Sequence, residues 1–177
     1  MTAMVLSMDA VHVDGERIDV RGPHAAMELR RVLGPVVATR PIEGVKRSVS
    51  LLARGAIILS EERDDAFLSL VVCFDPDDGS PYPTFFPQVP TFAGAVECAG
   101  HHFVAREPEG SISRLPGVHG FAGVLSLDQG DLHVGLHLKR PRNRFGKRAG
   151  TRQLVFVVAE WGEVKPFPSE TTRDQRG

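Results

Sequence analysis

Cys98 and His101 flank Ala99-Gly100 in the stretch PTFAGAVECAGHHF, which runs from Pro90 to Phe103. Ala-Gly is a natural tight turn. The register therefore predicts a hairpin in which Cys98 faces His101 and Val96 faces Phe103, with Glu97 and His102 on the opposite face. A thiol beside an imidazole is the closest approach in this chain to a nucleophile with its base. Such an isolated pair at a hairpin tip is more often structural than catalytic. We assign no catalytic residue from it.

A second histidine-bearing stretch, HGFAGVLSLDQGDLHVGLHL, runs from His119 to Leu138. A four-residue turn at Asp-Gln-Gly-Asp would set Leu127 against Leu132, Leu125 against Val134, Gly123 against Leu136 and Phe121 against Leu138. That face is apolar. His133 and His137 fall on the other face, with Ala122, Val124 and Ser126 opposite. Four residues apart on a strand, the two histidines lie ~13 Å apart at ~3.3 Å per residue and cannot share one metal ion. Both stretches open with Phe-Ala-Gly, but their turns and flanks differ, so they read as two hairpins rather than one duplicated unit.

The strongest local anomaly in charge is LKRPRNRFGKRAGTR. Lys139, Arg140, Arg142, Arg144, Lys147 and Arg148, with Arg152 behind them, make a basic loop between two strands. Such a loop suits an acidic partner surface or, alternatively, a phosphate or small ligand held by loop 139–152. Opposite in sign is EERDD, with Glu61, Glu62, Asp64 and Asp65. These ten residues, with Arg152 left out, are the candidate partner-binding set. Asp75, Asp77 and Asp78 alternate in DPDD but lack the closing Glu of a calcium loop. The chain has no Gly-rich phosphate loop, no Gly-x-Ser-x-Gly and no Cys-x-x-Cys. We expect no metal, no cofactor and no enzymatic activity.

The elements that would position these residues are mostly strands. Asp14-Gly15 between alternating runs predicts a hairpin over roughly residues 9–20, with Val13 facing Glu16 and Val11 facing Ile18. One helix of about three turns is expected from Pro23 to the Gly34-Pro35 stop. Ser48–Ala53, Ala56–Ser60 and Ala66–Phe74 read as strands, and their continuous apolar runs place them centrally. The Pro-rich loop 76–92 carries Tyr82, Phe85 and Phe86, which are expected to cap one end of the core. TRQLVFVVAEW is a further apolar strand. The expected fold is α+β: mostly antiparallel β-sheet of hairpins and meanders, with one short N-terminal helix and no parallel sheet. Residues 1–167 form one domain in this reading, and 168–177 a disordered C-terminal tail.

At 177 residues with 42% apolar and 24% charged residues, the chain can bury a core without staples. The net charge of -1 argues against a dedicated nucleic-acid binder. No signal peptide or membrane-spanning run is legible, so a cytoplasmic protein is expected.

One resemblance follows from residues already quoted. Leu29, Leu33, Gly34, Gly55, Ile57, Pro90, Phe92, Gly94, Val96 and Gly100 resemble the pattern of an uncharacterised bacterial family of small stand-alone β-rich proteins. It covers about the first two-thirds of the chain. Pro35 directly after Gly34 departs from that pattern, as does Leu52-Ala53 where a Trp-Asp often stands. Some members look like immunity partners of secreted bacterial toxins. The resemblance implies a non-catalytic immunity-type protein that binds and neutralises one protein partner, a toxin or effector.

Overall fold

The computed structural model describes residues 1–75 and 81–162. The expected tail 168–177, the end of the expected domain, and Asp77 and Asp78 lie outside the described residues.

Alternating apolar and polar residues build the first hairpin. Its strands are β2 (Ala10–Val13) and β3 (Glu16–Asp19), joined where Asp14 and Gly15 take φ of 50° and 87°. Val13 faces Glu16 and Val11 faces Ile18, as the sequence predicts. A strand not read from the sequence, β1 (Thr2–Leu6), lies against β2. Helix α1 (Ala25–Val32) is shorter than expected. It buries Ala25, Ala26 and Leu29 and stops at Leu33, with Gly34 at φ 95°.

Four strands then form a meander: β4 (Val36–Ile42), β5 (Arg47–Leu52), β6 (Ala56–Glu61) and β7 (Phe67–Cys73). β4 also escaped the sequence reading. Its Arg40 and Pro41 suit an exposed edge strand and hide the strand signal. The hairpin β8 (Gly94–Cys98) and β9 (His101–Val104) follows, then a single helical turn α2 (Glu109–Ile112) beyond the one helix expected. A second meander closes the chain: β10 (Val118–Phe121), β11 (Val124–Gln129), β12 (Leu132–Lys139) and β13 (Gln153–Trp161).

The strands make two sheets, a five-stranded one in the order β3-β2-β1-β8-β9 and an eight-stranded one in the order β10-β11-β12-β13-β7-β6-β5-β4. All pairings are antiparallel except β1 with β8. That parallel pair corrects the expectation of none. Its connection runs through β2, β3, α1 and the whole first meander rather than through a single helix, so no strand–helix–strand pattern marks it in the sequence.

The first half of the chain runs three strands, a helix and a four-stranded meander, and the second a hairpin, a helical turn and a four-stranded meander. The halves meet through β1 and β8 in one sheet and through the last strands of the meanders, β7 and β13, in the other. The two Phe-Ala-Gly stretches take unequal places in this repeat of connectivity. Phe92-Ala93-Gly94 leads into β8, whereas Phe121-Ala122-Gly123 turns β10 into β11.

The main core lies between the sheets. Met4, Leu6, Val11 and Ile18 from the small sheet meet Leu29, Ile58, Leu70, Leu136 and Val157. A second cluster covers the outer face of the large sheet. There the Pro-rich loop lays Phe86 and Val89 over Val49, Ile57, Val71 and Phe156, with Tyr82 and Phe85 packed against them. The aromatics of that loop are core caps, as expected, but they cap a sheet face.

The hairpin β11–β12 needs two corrections. Its turn is Gly130-Asp131 with Gln129 opposite Leu132, so Leu127 faces Val134 and Leu125 faces Leu136. The register is slipped by two residues from expectation, which leaves every side chain on its expected face. Phe121 is not core: the turn at Ala122-Gly123 ends the strand, and Phe121 is 84% exposed on β10.

Gly94 tests the parallel seam. A Cβ there would sit 1.9 Å from the carbonyl oxygen of Thr2 on β1. Gly94→Ala is expected to destabilise by about 3 kcal/mol or more, at the upper end of overpacking costs. Gly100→Ala, where φ is 79° and nothing lies within 4 Å, is expected to cost only about 1–2 kcal/mol. Urea unfolding of both variants measures the difference.

Candidate functional site

The basic loop is an ordered arm. β12 and β13 continue past Lys139 and Gln153 into a projecting hairpin that bridges Arg142 to Arg148. Asn143 organises its tip. Its Oδ1 accepts from the backbone N–H of Phe145 at 2.9 Å and of Lys147 at 3.0 Å. Its own N–H donates to the Lys147 carbonyl at 2.8 Å. Arg142 donates to the Gly146 carbonyl and Arg148 to the Arg140 carbonyl. Arg144 lies over the ring of Phe145, 4.7 Å from its centroid, and that ring is 72% exposed.

The foot of the arm is locked. Arg152 pairs with Glu109 at 3.3 Å and its carbonyl accepts from the Glu109 N–H. The β12–β13 register jumps between His137 and Leu138, which leaves Val155 as a bulge. His137 stacks on Phe156 with centroids 4.3 Å apart, and Lys139 lies 5.9 Å from the same ring. Every residue from Arg140 to Thr151 is exposed. The arm is thus convex, a shape that suits a partner's surface better than the enclosure of a small ligand.

Seven of the chain's 21 Lys and Arg and none of its 22 Asp and Glu lie between Lys139 and Arg152, so the rest holds 14 cations against 22 carboxylates. The near-neutral total conceals a strongly basic arm on an acidic body. Among the described residues Arg140, Arg142, Arg144 and Lys147 have no carboxylate partner.

The acidic half of the candidate set sits elsewhere. Glu61, Glu62, Asp64 and Asp65 turn β6 into β7, beside Trp161 at the far end of β13. From Gln153 to Trp161 is roughly 26 Å at ~3.3 Å per residue. The structure therefore separates the ten candidates into two sites. Asp65 is engaged by Arg30 through both guanidinium nitrogens, at 2.5 and 2.7 Å. That contact holds its carboxyl below the usual carboxylate range. Glu61 pairs with Arg47 at 3.3 Å. Glu62 is exposed, and Asp64 accepts from the Ala66 N–H.

Next to this turn opens a cavity of about 540 Å³. Phe67 and Trp161, 5.5 Å apart, form an aromatic wall, and Asp64, Arg21 and Asp131 are polar lining residues. Arg21 and Asp131 pair at 2.5 Å. The Trp161 indole N–H is held by the Ser7 carbonyl at 2.7 Å. No sequence motif marked this cavity, because Arg21, Phe67, Asp131 and Trp161 come from four separate segments.

The thiol–imidazole pair does not form a nucleophile. Cys98 and His101 are opposite in register, as expected. The Cys98 sulfur faces Gln129 at 3.9 Å, and the His101 ring reaches the Pro116 carbonyl. Burial pushes the Cys98 thiol up to about 11 and the Cys73 thiol to about 12. On the outer face of the large sheet Asp128 lies between His133, at 2.5 Å, and His119, at 3.6 Å. No group of His, Cys, Asp and Glu among the described residues is arranged to hold a metal ion. No described helix is long and apolar enough to cross a membrane.

No protein-family model matches this sequence, and neither a curated protein nor a solved structure matches it.

Two measurements check this chemistry. Thiol reagent at pH 8 is expected to label neither cysteine in the folded protein and both in denaturant. Burial, aided by Lys139, pushes His137 down from 6.5 to about 4. An unfolded histidine takes up a proton in that window and the folded one does not, so stability falls as pH drops from 6.5 towards 4. His137→Phe is expected to flatten that slope in urea titrations.

Proposed function

We propose that this protein is a non-catalytic binding protein that seats its basic arm on an acidic surface of one protein partner. The observation that carries the reading is the arm itself: exposed from Arg140 to Thr151, internally hydrogen-bonded, and bearing Arg140, Arg142, Arg144 and Lys147 without carboxylate partners among the described residues. A pre-ordered charged element loses little freedom on binding and speeds association. A long nucleic acid is the poorer partner, since the acidic body would face its phosphates. The inert cysteines agree with a role without covalent chemistry.

Within this reading the resemblance to toxin-immunity proteins supplies the finer proposal. The partner is a bacterial toxin or effector, neutralised one-to-one in the cytoplasm. Co-expression with the product of the neighbouring gene tests it. The wild-type protein is expected to co-purify with that product and restore growth. Arg142→Glu/Arg144→Glu/Lys147→Glu, which changes only exposed side chains, is expected to keep its thermal midpoint and slow association about tenfold or more at low salt. Absence of any protein partner, together with unchanged toxin sensitivity on deletion of the gene, would sink the reading.

A further inference from the structure

The arm and the cavity are complementary, yet one molecule cannot bring them together. The arm leaves one end of β12 and β13, and the cavity lies at the other end, roughly 26 Å away at ~3.3 Å per residue. The arm's full exposure shows that it is not folded back along the sheet. Its tip offers a guanidinium stacked on an exposed ring, Arg144 on Phe145, with Lys147 beside them. The cavity offers the chemistry to receive that tip. Half-buried Phe67, backed by the buried Trp161, gives it an aromatic side, and Asp64 presents a carboxylate with no cationic partner among the described residues. Its one cation among the described residues, Arg21, is already paired with Asp131. On the same turn the exposed Glu62 is offset by the exposed Arg63, so the charge match rests on Asp64. A volume of about 540 Å³ falls within the roughly 300–1,000 Å³ of established binding cavities.

We infer that the cavity bounded by Phe67, Asp64 and Trp161 receives the arm tip, Arg144-Phe145, of a second copy of this chain. Donor and acceptor occupy opposite ends of the molecule, so the contact is head-to-tail. Such an interface closes into a ring or extends as a filament, according to the rotation between copies. The charge balance favours it: each copy pairs a basic arm with an acidic body. The inference rests on the arm being an interaction element that seeks negative surface. It assigns the arm a second target, and partner and second copy then compete for the same tip.

The test needs only the purified protein. Light scattering coupled to size exclusion, over a wide concentration series, is expected to show wild-type species well above 19.3 kDa. These are expected to dissociate with salt, as the screening length shrinks from about 30 Å at 0.01 M to about 3 Å at 1 M. Arg144→Glu/Phe145→Ala removes the plug, and Asp64→Asn/Asp131→Lys spoils the socket. Each variant alone is expected to be monomeric. Mixed together they retain one intact plug and one intact socket, and should give a 1:1 dimer of about twice 19.3 kDa. Thermal unfolding verifies that each variant is folded. If the socket pair is unfolded, Asp64→Asn alone replaces it, since asparagine keeps the oxygen that accepts from Ala66.

A wild-type chain that stays monomeric at low salt throughout the series overturns the inference. So do variants that self-associate like wild type, or a mixture of two folded variants that forms no dimer. These outcomes leave the partner-binding proposal standing, because that proposal is read by co-purification with another protein.

Discussion

The pairing of β13 with β7 is the contact on which the remaining architecture depends. It joins two four-stranded meanders into one sheet, with Phe156 opposite Cys73, Val157 opposite Val72 and Ala159 opposite Leu70. Both faces of the seam are apolar. Val72, Leu70, Val157 and Ala159 belong to the core between the sheets, and Val71, Cys73, Val155 and Phe156 to the outer cluster under the Pro-rich loop. A strand buried on both sides must be continuously apolar, which is why LVFVVA carries no alternation. β13 also carries the functional geography: one end feeds the arm and the other supplies Trp161 to the cavity wall.

The distribution of charge gains its meaning from that frame. The body's cations are largely spent locally. Arg17 pairs with Asp9, Arg30 with Asp65, Arg47 with Glu61 and Arg54 with Asp14. Exposed pairs of this kind contribute little stability. Their effect is on the field: each pair cancels itself at a distance, while Arg140, Arg142, Arg144 and Lys147, with no carboxylate partner among the described residues, do not. The arm is therefore the dominant positive feature of the surface, on a molecule whose total charge is close to zero.

Local signals were legible in the sequence and non-local ones were not. Asp14-Gly15 and Ala99-Gly100 specify their hairpins within a few residues, and the register followed. The β5–β6–β7 run could be read because Gly55 and the acidic turn divide it. β1 pairs locally with β2, but its other neighbour, β8, lies about ninety residues on and leaves no mark near it in the sequence. The β11–β12 slip shows the limit within a hairpin. Asp-Gln-Gly-Asp allows two turn lengths, and an even slip keeps the apolar face inward, so hydrophobic pattern cannot choose between them. The candidate arm was visible as a charge run. The cavity was not, because its aromatic wall pairs Phe67 with Trp161 and its carboxylates come from separate turns.

The order within the arm bears on both of its proposed contacts. A flexible polybasic loop would lose conformational freedom on every encounter, and that cost would weaken a partner and a second copy alike. Asn143 and the two arginine-to-carbonyl bonds meet that cost during folding instead. Pre-ordering alone cannot select between targets that the same tip can reach. Selection falls to concentration and relative affinity: copy-to-copy contact occupies a fraction of the arms set by mass action, and a partner must bind more tightly than that contact to displace it. A head-to-tail arrangement makes this competition local. Capturing the arm of the last copy in a chain frees no cavity, whereas capturing an internal arm breaks the chain in two. The partner would therefore act on the assembly as well as on the single molecule.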